Sequence, residues 1–341
     1  MRWEGQSTEM DDAAALPGLG RIANLVRSVT TPEFRDVTFH EVVAKSALNR
    51  VPGNALPFNW TVNPYRGCSH ACRFCFARPT HSYLDLDMGE DFDRQIVVKT
   101  NVVEVLRREL GRPSWTHETV ALGTNTDPYQ RAEGRYRLMP GIIDALTASG
   151  TPFSILTKGT LLRRDLGLLE SAAQRVRVGV AVSIDMTDAQ LQDSLEPGAP
   201  GTRARIELVR AIRSAGLECG VMVAPVLPWL TDSDEQLDDL LGRLADAGAS
   251  GATLLTLHLR PGTKEWFMSW LEREHPGLVK RYEQLYGRGA YVPASYQRAF
   301  TERVRPLLAK HGFDRGSRHR RPDRAEPRRT GVPVFEQQSL F

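Results

Sequence analysis

The sequence predicts an α/β protein built around an open (β/α)6 barrel. Short apolar and β-branched runs alternate along the chain with helical stretches whose apolar residues recur three and four positions apart. This alternation is typical of βα units around a parallel sheet. Six strands with five intervening helices favour an open barrel over a closed barrel of eight.

The strands and helices of the barrel are predicted from residue 58 onwards. The strands cover residues 58–63, 119–123, 152–157, 176–184, 218–225 and 252–259. The helices lie in NVVEVLRRELG, GIIDALTASG, RDLGLLESAAQ, RARIELVRAIRSAG and DEQLDDLLGRLADAG. Several of them end near a glycine, as helices commonly do. Because barrels of this kind carry their chemistry after the carboxyl ends of strands, functional residues are expected in those loops.

The domain organisation predicted from these patterns has four parts. Residues 1–50 form an N-terminal extension that packs loosely on the core or wraps it, and residues 51–260 form the barrel. Residues 261–312 form a helical region with aromatic segments, KEWFMSWLEREHPGLVKRYEQLYG and ASYQRAFTERVRPLLAKHG. Residues 313–341 are predicted to be a flexible, arginine-rich tail.

The composition indicates a soluble protein of a reducing compartment. Three of the four cysteines lie within eight residues, which does not resemble the disulfide framework of a secreted domain. The acidic N-terminus lacks the basic start and the apolar run of a signal peptide. No apolar stretch reaches the roughly 18 to 20 residues needed to cross a bilayer. We therefore expect a cytoplasmic protein with no membrane segment.

The three neighbouring cysteines predict a metal centre. Cys68, Cys72 and Cys75 follow the pattern Cys-x3-Cys-x2-Cys directly after the first predicted strand. A [4Fe–4S] cluster normally takes four cysteines, so three would leave one iron open to a substrate. The alternatives are a structural zinc site completed by His70 or His81, and the chance packing of buried cysteines.

These residues resemble a known family, the radical S-adenosylmethionine (SAM) enzymes. The resemblance rests on the cysteine spacing with Phe74 before the last cysteine, and it extends through KSALNRVPG, NPYRGCSHACRFCFARPTH, GTNTDPYQ and EPGAPGTRARIELVRAIRSAGL. Together these segments resemble the branch that contains spore photoproduct lyase and the proteins labelled DNA-repair-photolyase-like. The resemblance implies a partial barrel of the radical SAM type, a [4Fe–4S] cluster on the three cysteines, SAM as cofactor, and an electron donor such as flavodoxin or ferredoxin.

The resemblance also implies which residues contact SAM. In this family the open iron chelates the amino and carboxylate groups of SAM, and one-electron reduction yields a 5′-deoxyadenosyl radical. The positions that match SAM-contacting segments are Gly123, Thr124, Asn125, Asp127, Lys158, Ser183 and Arg205. From the residues alone, Glu196 and the arginines at 203 and 205 could equally form a plain ion pair at a helix start. Gly159 stands where the branch commonly has serine.

The chain departs from spore photoproduct lyase at the hydrogen-donating cysteine. The lyase has this cysteine near the end of its second strand, where this chain has Gly-Thr-Asn-Thr at residues 123–126. The fourth cysteine, Cys219, lies within the predicted fifth strand, where a buried apolar role is expected. Tyr65 and Tyr129 are the candidates for relaying a hydrogen atom.

The C-terminal tail suggests two partners. The formal net charge of +3 is too small to indicate nucleic acid by itself, but residues 314–330 carry seven arginines against three acids and suit contacts with phosphates. The final EQQSLF resembles the peptide by which bacterial repair proteins bind the sliding clamp. The matching residues are Gln337, Leu340 and Phe341, and Gln338 departs from the usual leucine.

Three functions follow from this reading. The leading hypothesis is a radical SAM enzyme that acts on nucleic acid, in DNA repair or modification. The alternatives are a zinc-stabilised nucleic-acid-binding protein and an iron–sulfur redox sensor, neither with turnover.

Overall fold

The computed structural model describes residues 22, 24–52 and 56–314 as two β-sheets surrounded by helices. The strands are β1 (Leu25–Thr30), β2 (Thr38–Val42), β3 (Leu48–Arg50), β4 (Trp60–Val62), β5 (Tyr65–Arg66), β6 (Gln95–Lys99), β7 (Val120–Leu122), β8 (Phe153–Thr157), β9 (Val178–Ser183), β10 (Cys219–Val226) and β11 (Gly251–Thr256).

The helices alternate with these strands over most of the chain. They are α1 (Glu90–Arg94), α2 (Val102–Leu110), α3 (Ala132–Tyr136), α4 (Leu138–Ala148), α5 (Leu166–Ala173), α6 (Ala189–Leu195), α7 (Thr202–Ser214), α8 (Asp234–Asp246), α9 (Thr263–Glu274), α10 (Val279–Tyr286) and α11 (Ala294–Lys310). Short 3-10 helices cover Pro32–Phe34, Arg78–Leu84, Thr160–Asp165 and Pro276–Leu278.

The larger sheet is the predicted open barrel. Its strand order is β11-β10-β9-β8-β7-β4-β3, and the six strands from β4 to β11 pair in parallel. Each lies within a predicted strand or overlaps it closely. β3 pairs antiparallel with β4 and forms one edge of the sheet. Because all six barrel strands point the same way, their carboxyl ends meet on one face of the barrel.

The smaller sheet carries part of the N-terminal extension. Its order is β1-β2-β6-β5, with β2 parallel to β6 and the other two pairs antiparallel. Of the two arrangements expected for residues 1–50, loose packing does not describe residues 24–50, because β2 pairs with a strand of the core and β3 joins the barrel.

The two largest apolar clusters of the described residues pack the barrel and the cysteine loop. The first lies between the barrel strands and the helices α2, α4, α5, α7 and α8 that cover them. The second packs the aromatic residues of α9 and α10, including Phe267, Trp270 and Tyr282, against Cys72 and Phe74. The C-terminal helices therefore cover the cysteine loop. In the described part of the chain, no helix combines the length and apolar character needed to span a membrane.

Candidate active site at the cysteine loop

The cysteine loop, residues 67–77, begins at a glycine that the structure requires. Gly67 has a φ of +79°, and a Cβ at this position would crowd the carbonyl oxygen of Phe92. The backbone N–H of Cys68 donates to that same carbonyl at 2.9 Å. The loop therefore starts in contact with α1 and turns into the open end of the barrel.

Buried polar side chains hold the backbone of the loop in place. Gln130 donates to the carbonyl of Gly67 at 3.0 Å and accepts from the N–H of Ser69 at 3.0 Å. The buried guanidinium of Arg78 donates twice to the carbonyl of Cys72, at 2.9 and 3.0 Å, and pairs with Asp93. A loop held at so many backbone groups is preorganised for binding.

The three thiols are suited to an iron–sulfur cluster, in which each thiolate binds a different iron. All three cysteines are free, and Cys68 and Cys72 are buried. Burial raises the pKa of the Cys72 thiol well above its usual value, and the neighbouring Glu196, Cys75 and Cys68 raise it further. Burial also raises the pKa of Cys75 to about 11. Thiols that are this close and this hard to ionise become thiolates when a metal coordinates them.

The cysteine loop does not form the ligand geometry of a single metal ion. Within the described residues, no three His, Cys, Asp or Glu side chains converge as the ligands of one metal ion. Of the two histidines considered for a zinc site, His81 donates from Nε2 to the carbonyl of Gln95 at 2.9 Å and keeps Nδ1 without a partner among the described residues, and His70 pairs with Asp127 at 3.3 Å. An iron–sulfur cluster takes one thiolate at each iron, so three cysteines on one loop are a donor set for a cluster with one open iron.

His70 connects the cysteine loop to the loop after β7. It lies between Cys68 and Asp127, and although burial alone would lower its pKa, these two neighbours raise it to about 10. Asp127 also accepts from the hydroxyl of Thr157 at 2.5 Å and from the N–H of Lys158 at 2.6 Å. Asp127, predicted to contact SAM, therefore joins the cysteine loop to the end of β8.

A buried cluster of four charges lies beside Cys72 at the ends of β8 and β9. We call Lys158, Asp185, Glu196 and Arg205 the ion cluster. Nζ of Lys158 is 2.6 Å from Glu196 and 3.0 Å from Asp185. Arg205 contacts Glu196 at 2.5 Å and Asp185 at 3.4 Å. The two cations and two anions balance, as a group removed from water requires.

The ion cluster faces the cysteine loop. The Sγ atom of Cys72 lies 3.8 Å from Glu196, and Nζ of Lys158 lies over the ring of Phe74 at 5.6 Å. Burial alone would raise the pKa of Glu196, but Arg205 and Lys158 hold it well below its usual range. Burial raises the pKa of Asp185 to about 6. Its Oδ2 atom is buried without a hydrogen-bond partner among the described residues, and is therefore open to a ligand donor.

The predicted SAM contacts divide between this cluster and the loop after β7. Lys158 also donates to the hydroxyl of Ser183 at 2.9 Å, and Arg205 donates to the Ser183 carbonyl at 3.0 Å. The contact between Arg205 and Glu196 agrees with the ion pair that the sequence allowed for these two residues. The role of Lys158, Ser183 and Arg205 in SAM binding stays a prediction.

The glycines of the two strand ends are required by close backbone approach. Gly123 has a φ of +91°, and a Cβ there would overlap the carbonyl oxygen of Leu156. A Cβ at Gly159 would overlap the carbonyl oxygen of Tyr129, which explains why serine is absent from this position. Thr124 and Asn125 are half-buried on the same loop as Gly123, and the N–H of Asn125 donates to Asn63 at 3.3 Å.

The two candidate relay tyrosines are buried, and their hydroxyls face a different polar cluster. Tyr65 donates to Glu133 at 2.6 Å. Burial, and then Asp165, raise the pKa of Tyr129 above its usual range. Cys219 is fully buried in β10, as expected, and burial raises the pKa of its thiol to about 12.

Sequence reasoning missed several residues of the site. Asp185 ends the segment VAVSID, two residues after Ser183, and its acidic side chain at a strand end was the available signal. Gln130 ends GTNTDPYQ and Arg78 follows the last cysteine by three residues. Their contacts with carbonyl groups of the loop are long-range or buried, and no local pattern reveals them.

The arginine-rich tail from residue 315 and the residues Gln337, Leu340 and Phe341 lie outside the described residues. The predicted contacts with nucleic acid and with the sliding clamp stay predictions.

Residues 62–241 match the family profile described as the radical SAM superfamily. The chain is a member of the radical SAM superfamily. The match begins in β4, contains the cysteine loop and the ion cluster, and ends in α8. Family membership supports an enzyme of radical chemistry, and it implies SAM and an iron–sulfur cluster.

Relatives of this radical SAM protein occur in bacteria, archaea and viruses. An uncharacterized protein of Mycobacterium tuberculosis is 62% identical over 346 residues, which cover 100% of both chains. An uncharacterized protein of Acidianus two-tailed virus is 29% identical and covers 64% of this chain and 74% of its own. An uncharacterized protein of Methanocaldococcus jannaschii is 23% identical over 56% of this chain and 69% of its own.

Solved structures of spore photoproduct lyase share the fold. A cysteine-to-serine mutant superposes with a TM-score of 0.60 at 16% identity and covers 82% of this chain and 80% of its own. A double mutant with bound AdoMet and dinucleoside spore photoproduct gives a TM-score of 0.60 at 15% identity, with the same coverage. At this identity the likeness establishes the fold alone, and it agrees with the open barrel.

Proposed function

We propose that this protein is a radical SAM enzyme that holds a [4Fe–4S] cluster on Cys68, Cys72 and Cys75 and acts on nucleic acid. The observation that carries the proposal is the position of three free thiols on one preorganised loop, beside a buried ion cluster at the carboxyl ends of the barrel strands. When bound together, the cluster and SAM would supply radical chemistry, the removal of a hydrogen atom from an unactivated carbon.

The residues of this chain would hold and orient the two groups. The thiols bind irons, and Arg78 and Gln130 keep the loop backbone from moving as they do so. The unpartnered Oδ2 of Asp185 can accept a hydrogen bond from a ligand donor, while Arg205 and Lys158 hold Glu196 in its charged form. The aromatic residues of α9 and α10 cover the loop and exclude water from its surroundings.

A substrate with nucleotides is supported by the shared fold. One structure with this fold contains a dinucleoside spore photoproduct. The loop after β7 has no cysteine that could donate a hydrogen atom. We therefore expect a reaction that differs from that of spore photoproduct lyase. Repair or modification of DNA is the reaction class that we propose.

The test is the reductive cleavage of SAM by the reconstituted protein. The protein is loaded with iron and sulfide without oxygen, mixed with SAM and dithionite, and assayed for 5′-deoxyadenosine, with and without ultraviolet-irradiated DNA. Cys72→Ala should abolish the product because one iron loses its thiolate. Cys219→Ala is the matched control, since it removes a buried thiol far along the chain in β10, and it should retain the product.

The outcomes separate the proposed function from its alternatives. Product from the wild type that irradiated DNA increases would support a repair enzyme. A colourless protein with a single zinc would replace the proposal with a zinc-stabilised binding module. A brown protein that neither binds nor cleaves SAM would indicate an iron–sulfur sensor.

A further inference from the structure

A polar cleft opens beside the cysteine loop, on the side of the smaller sheet. It is a shallow cleft that opens to solvent and has little enclosed volume. Its lining comes from β3, from β5 and the residues on either side of it, from the 3-10 helix Arg78–Leu84, from the end of β6 and from the loop after β7. The lining residues are Asn49, Asn63, Tyr65, Arg66, Gly67, Thr80, Tyr83, Lys99 and Asn125.

The charged residues in the lining of the cleft are both cations. Two of the nine residues, Arg66 and Lys99, are cations, and none is acidic. β5 and β6 pair in antiparallel register, with Arg66 opposite Val97, and this pairing brings the two cations to one end of the smaller sheet. The charge of Arg66 acts against the charged form of Lys99, so an anion bound beside the Lys99 ammonium would stabilise that form.

Lys99 differs from the other buried cations of the protein. Carboxylates raise the pKa of Lys158 and Arg205 above their usual values, although burial opposes this. Burial, together with the neighbouring Arg66, lowers the pKa of Lys99 to about 8. Within the described residues the Lys99 ammonium has no hydrogen bond or ion pair. The nearest carboxylate to influence it is that of Glu109, which already accepts from the N–H groups of Ala47 and Leu48 at 3.0 and 2.8 Å.

Carboxamides complete the set of donors. The Oδ1 atom of Asn63 accepts from the N–H of Asn125, which leaves the amide nitrogen of Asn63 as a donor on the cleft wall. An ammonium without an ion pair, beside the amide donor of Asn63 and with no acid among the nine lining residues, is suited to binding a phosphate.

We propose that this cleft, between Arg66 and Lys99, binds a backbone phosphate of the nucleic-acid strand on which the enzyme acts. The inference rests on the proposed function and deepens it. Gly67 lines the cleft and precedes Cys68, so a strand fixed there by its phosphate brings an adjoining nucleotide to the cysteine loop. Such a contact positions the strand without reading its sequence.

The test compares binding of a fluorescein-labelled single-stranded oligonucleotide to the cluster-loaded protein, by anisotropy over a series of salt concentrations. We expect Lys99→Gln to weaken binding about 5- to 10-fold and to reduce the slope of log K against log salt by about 0.7, the value for one lost phosphate contact. Lys99→Arg should restore both. Lys280→Gln, which removes an exposed lysine from α10, is the matched control and should match the wild type.

A second arm identifies the source of the phosphate. Inorganic phosphate, compared with chloride at equal ionic strength, should raise the Tm of the wild type and not that of Lys99→Gln. If Lys99→Gln loses this response but binds the oligonucleotide normally, the cleft serves a small phosphate compound and the proposal is overturned. Unchanged binding in both arms, or a selective loss of SAM affinity, would also overturn it.

Failure of the proposed function is recognised separately. If the wild type forms 5′-deoxyadenosine but binds no oligonucleotide, the proposed nucleic-acid substrate and this inference are both wrong, and the proposed radical chemistry is supported. If the wild type binds the oligonucleotide through Lys99 but never cleaves SAM, the cleft stands and the enzymatic proposal fails.

Discussion

Single buried charges determine how the candidate site is built. Glu196 is fully buried and contacts Lys158, Arg205 and the thiol of Cys72. A buried ion pair adds little by itself to the free energy of unfolding, yet breaking one is costly because its partner keeps an uncompensated charge. The residues of the ion cluster are therefore coupled, and their substitution should not be additive.

Glu196→Gln should lower the free energy of unfolding by about 3 to 5 kcal/mol, because it leaves two buried cations facing Asp185 alone. Urea denaturation monitored by circular dichroism measures this loss. Glu207→Gln on α7 is the matched control: its partner Arg210 is half exposed, and we expect a loss below about 1 kcal/mol. Equal losses in the two variants would contradict the importance of burial.

His258 makes stability depend on pH. Burial lowers its pKa to about 4, whereas an unfolded histidine has a pKa of about 6.5. The unfolded chain therefore binds more protons between these two values, and the free energy of unfolding falls as pH falls through this window. His258→Phe keeps a ring between Phe76 and Tyr291, so it should reduce the loss of stability between about pH 7.5 and about pH 5 by roughly 2 kcal/mol.

The control for His258 is an exposed histidine. His117→Asn should retain the pH dependence of the wild type, and asparagine tolerates the positive φ of that residue. Parallel urea titrations of the wild type and both variants at the two pH values give the comparison. A pH dependence that is identical in all three proteins would show that His258 does not contribute.

At the scale of elements, the register of β7 and β8 sets the geometry of two functional loops. Leu122 lies opposite Ile155 in the parallel pair, and the next residue, Gly123, passes directly over the carbonyl of Leu156. This approach directs Asp127 back to the end of β8, where it meets Lys158. The two loops are therefore one structural unit.

Gly123→Ala should destabilise this unit, because it adds a clash with backbone to the cost of a positive φ. Gly150→Ala isolates the conformational cost, since Gly150 has a φ of +71° and a Cβ added there would meet no other described atom within 4 Å. We expect a loss of about 1 kcal/mol for Gly150→Ala and at least about 2 kcal/mol for Gly123→Ala. Thermal unfolding of the cluster-loaded proteins measures both, and equal losses would contradict the clash.

At the scale of the molecule, the two sheets position different parts of the candidate site. The barrel positions the ion cluster and the loops at the strand ends. The smaller sheet positions the start of the cysteine loop and the polar cleft that contains Lys99. The C-terminal helices close over the other side of the loop. A site assembled from these three parts depends on the fold of the whole described chain.

Binding to a sliding clamp is a prediction about the chain terminus. Removal of residues 337–341 should abolish binding to the bacterial clamp in a pull-down, because the Leu-Phe pair would no longer enter an apolar pocket. Ser339→Ala is the matched control, since it changes the same peptide but keeps Gln337, Leu340 and Phe341. Undiminished binding by the truncated protein would remove the clamp as a partner.

The sequence by itself determined the barrel and the cysteine loop. Apolar runs of strand length recur between amphipathic helices, and burial on both faces of a parallel sheet imposes that pattern locally. The spacing of Cys68, Cys72 and Cys75 is likewise local, and the family match confirms the superfamily that it indicated.

Only the tertiary structure decided which charges meet. Asp185 and Glu196 join Lys158 and Arg205 because β8 and β9 end where α7 begins, and Lys99 approaches Arg66 because β6 pairs with β5. Such contacts join residues that are distant along the chain, and their stability comes from shared burial rather than from any local pattern. The pairing of residues 24–50 with the core was likewise decided by long-range strand contacts.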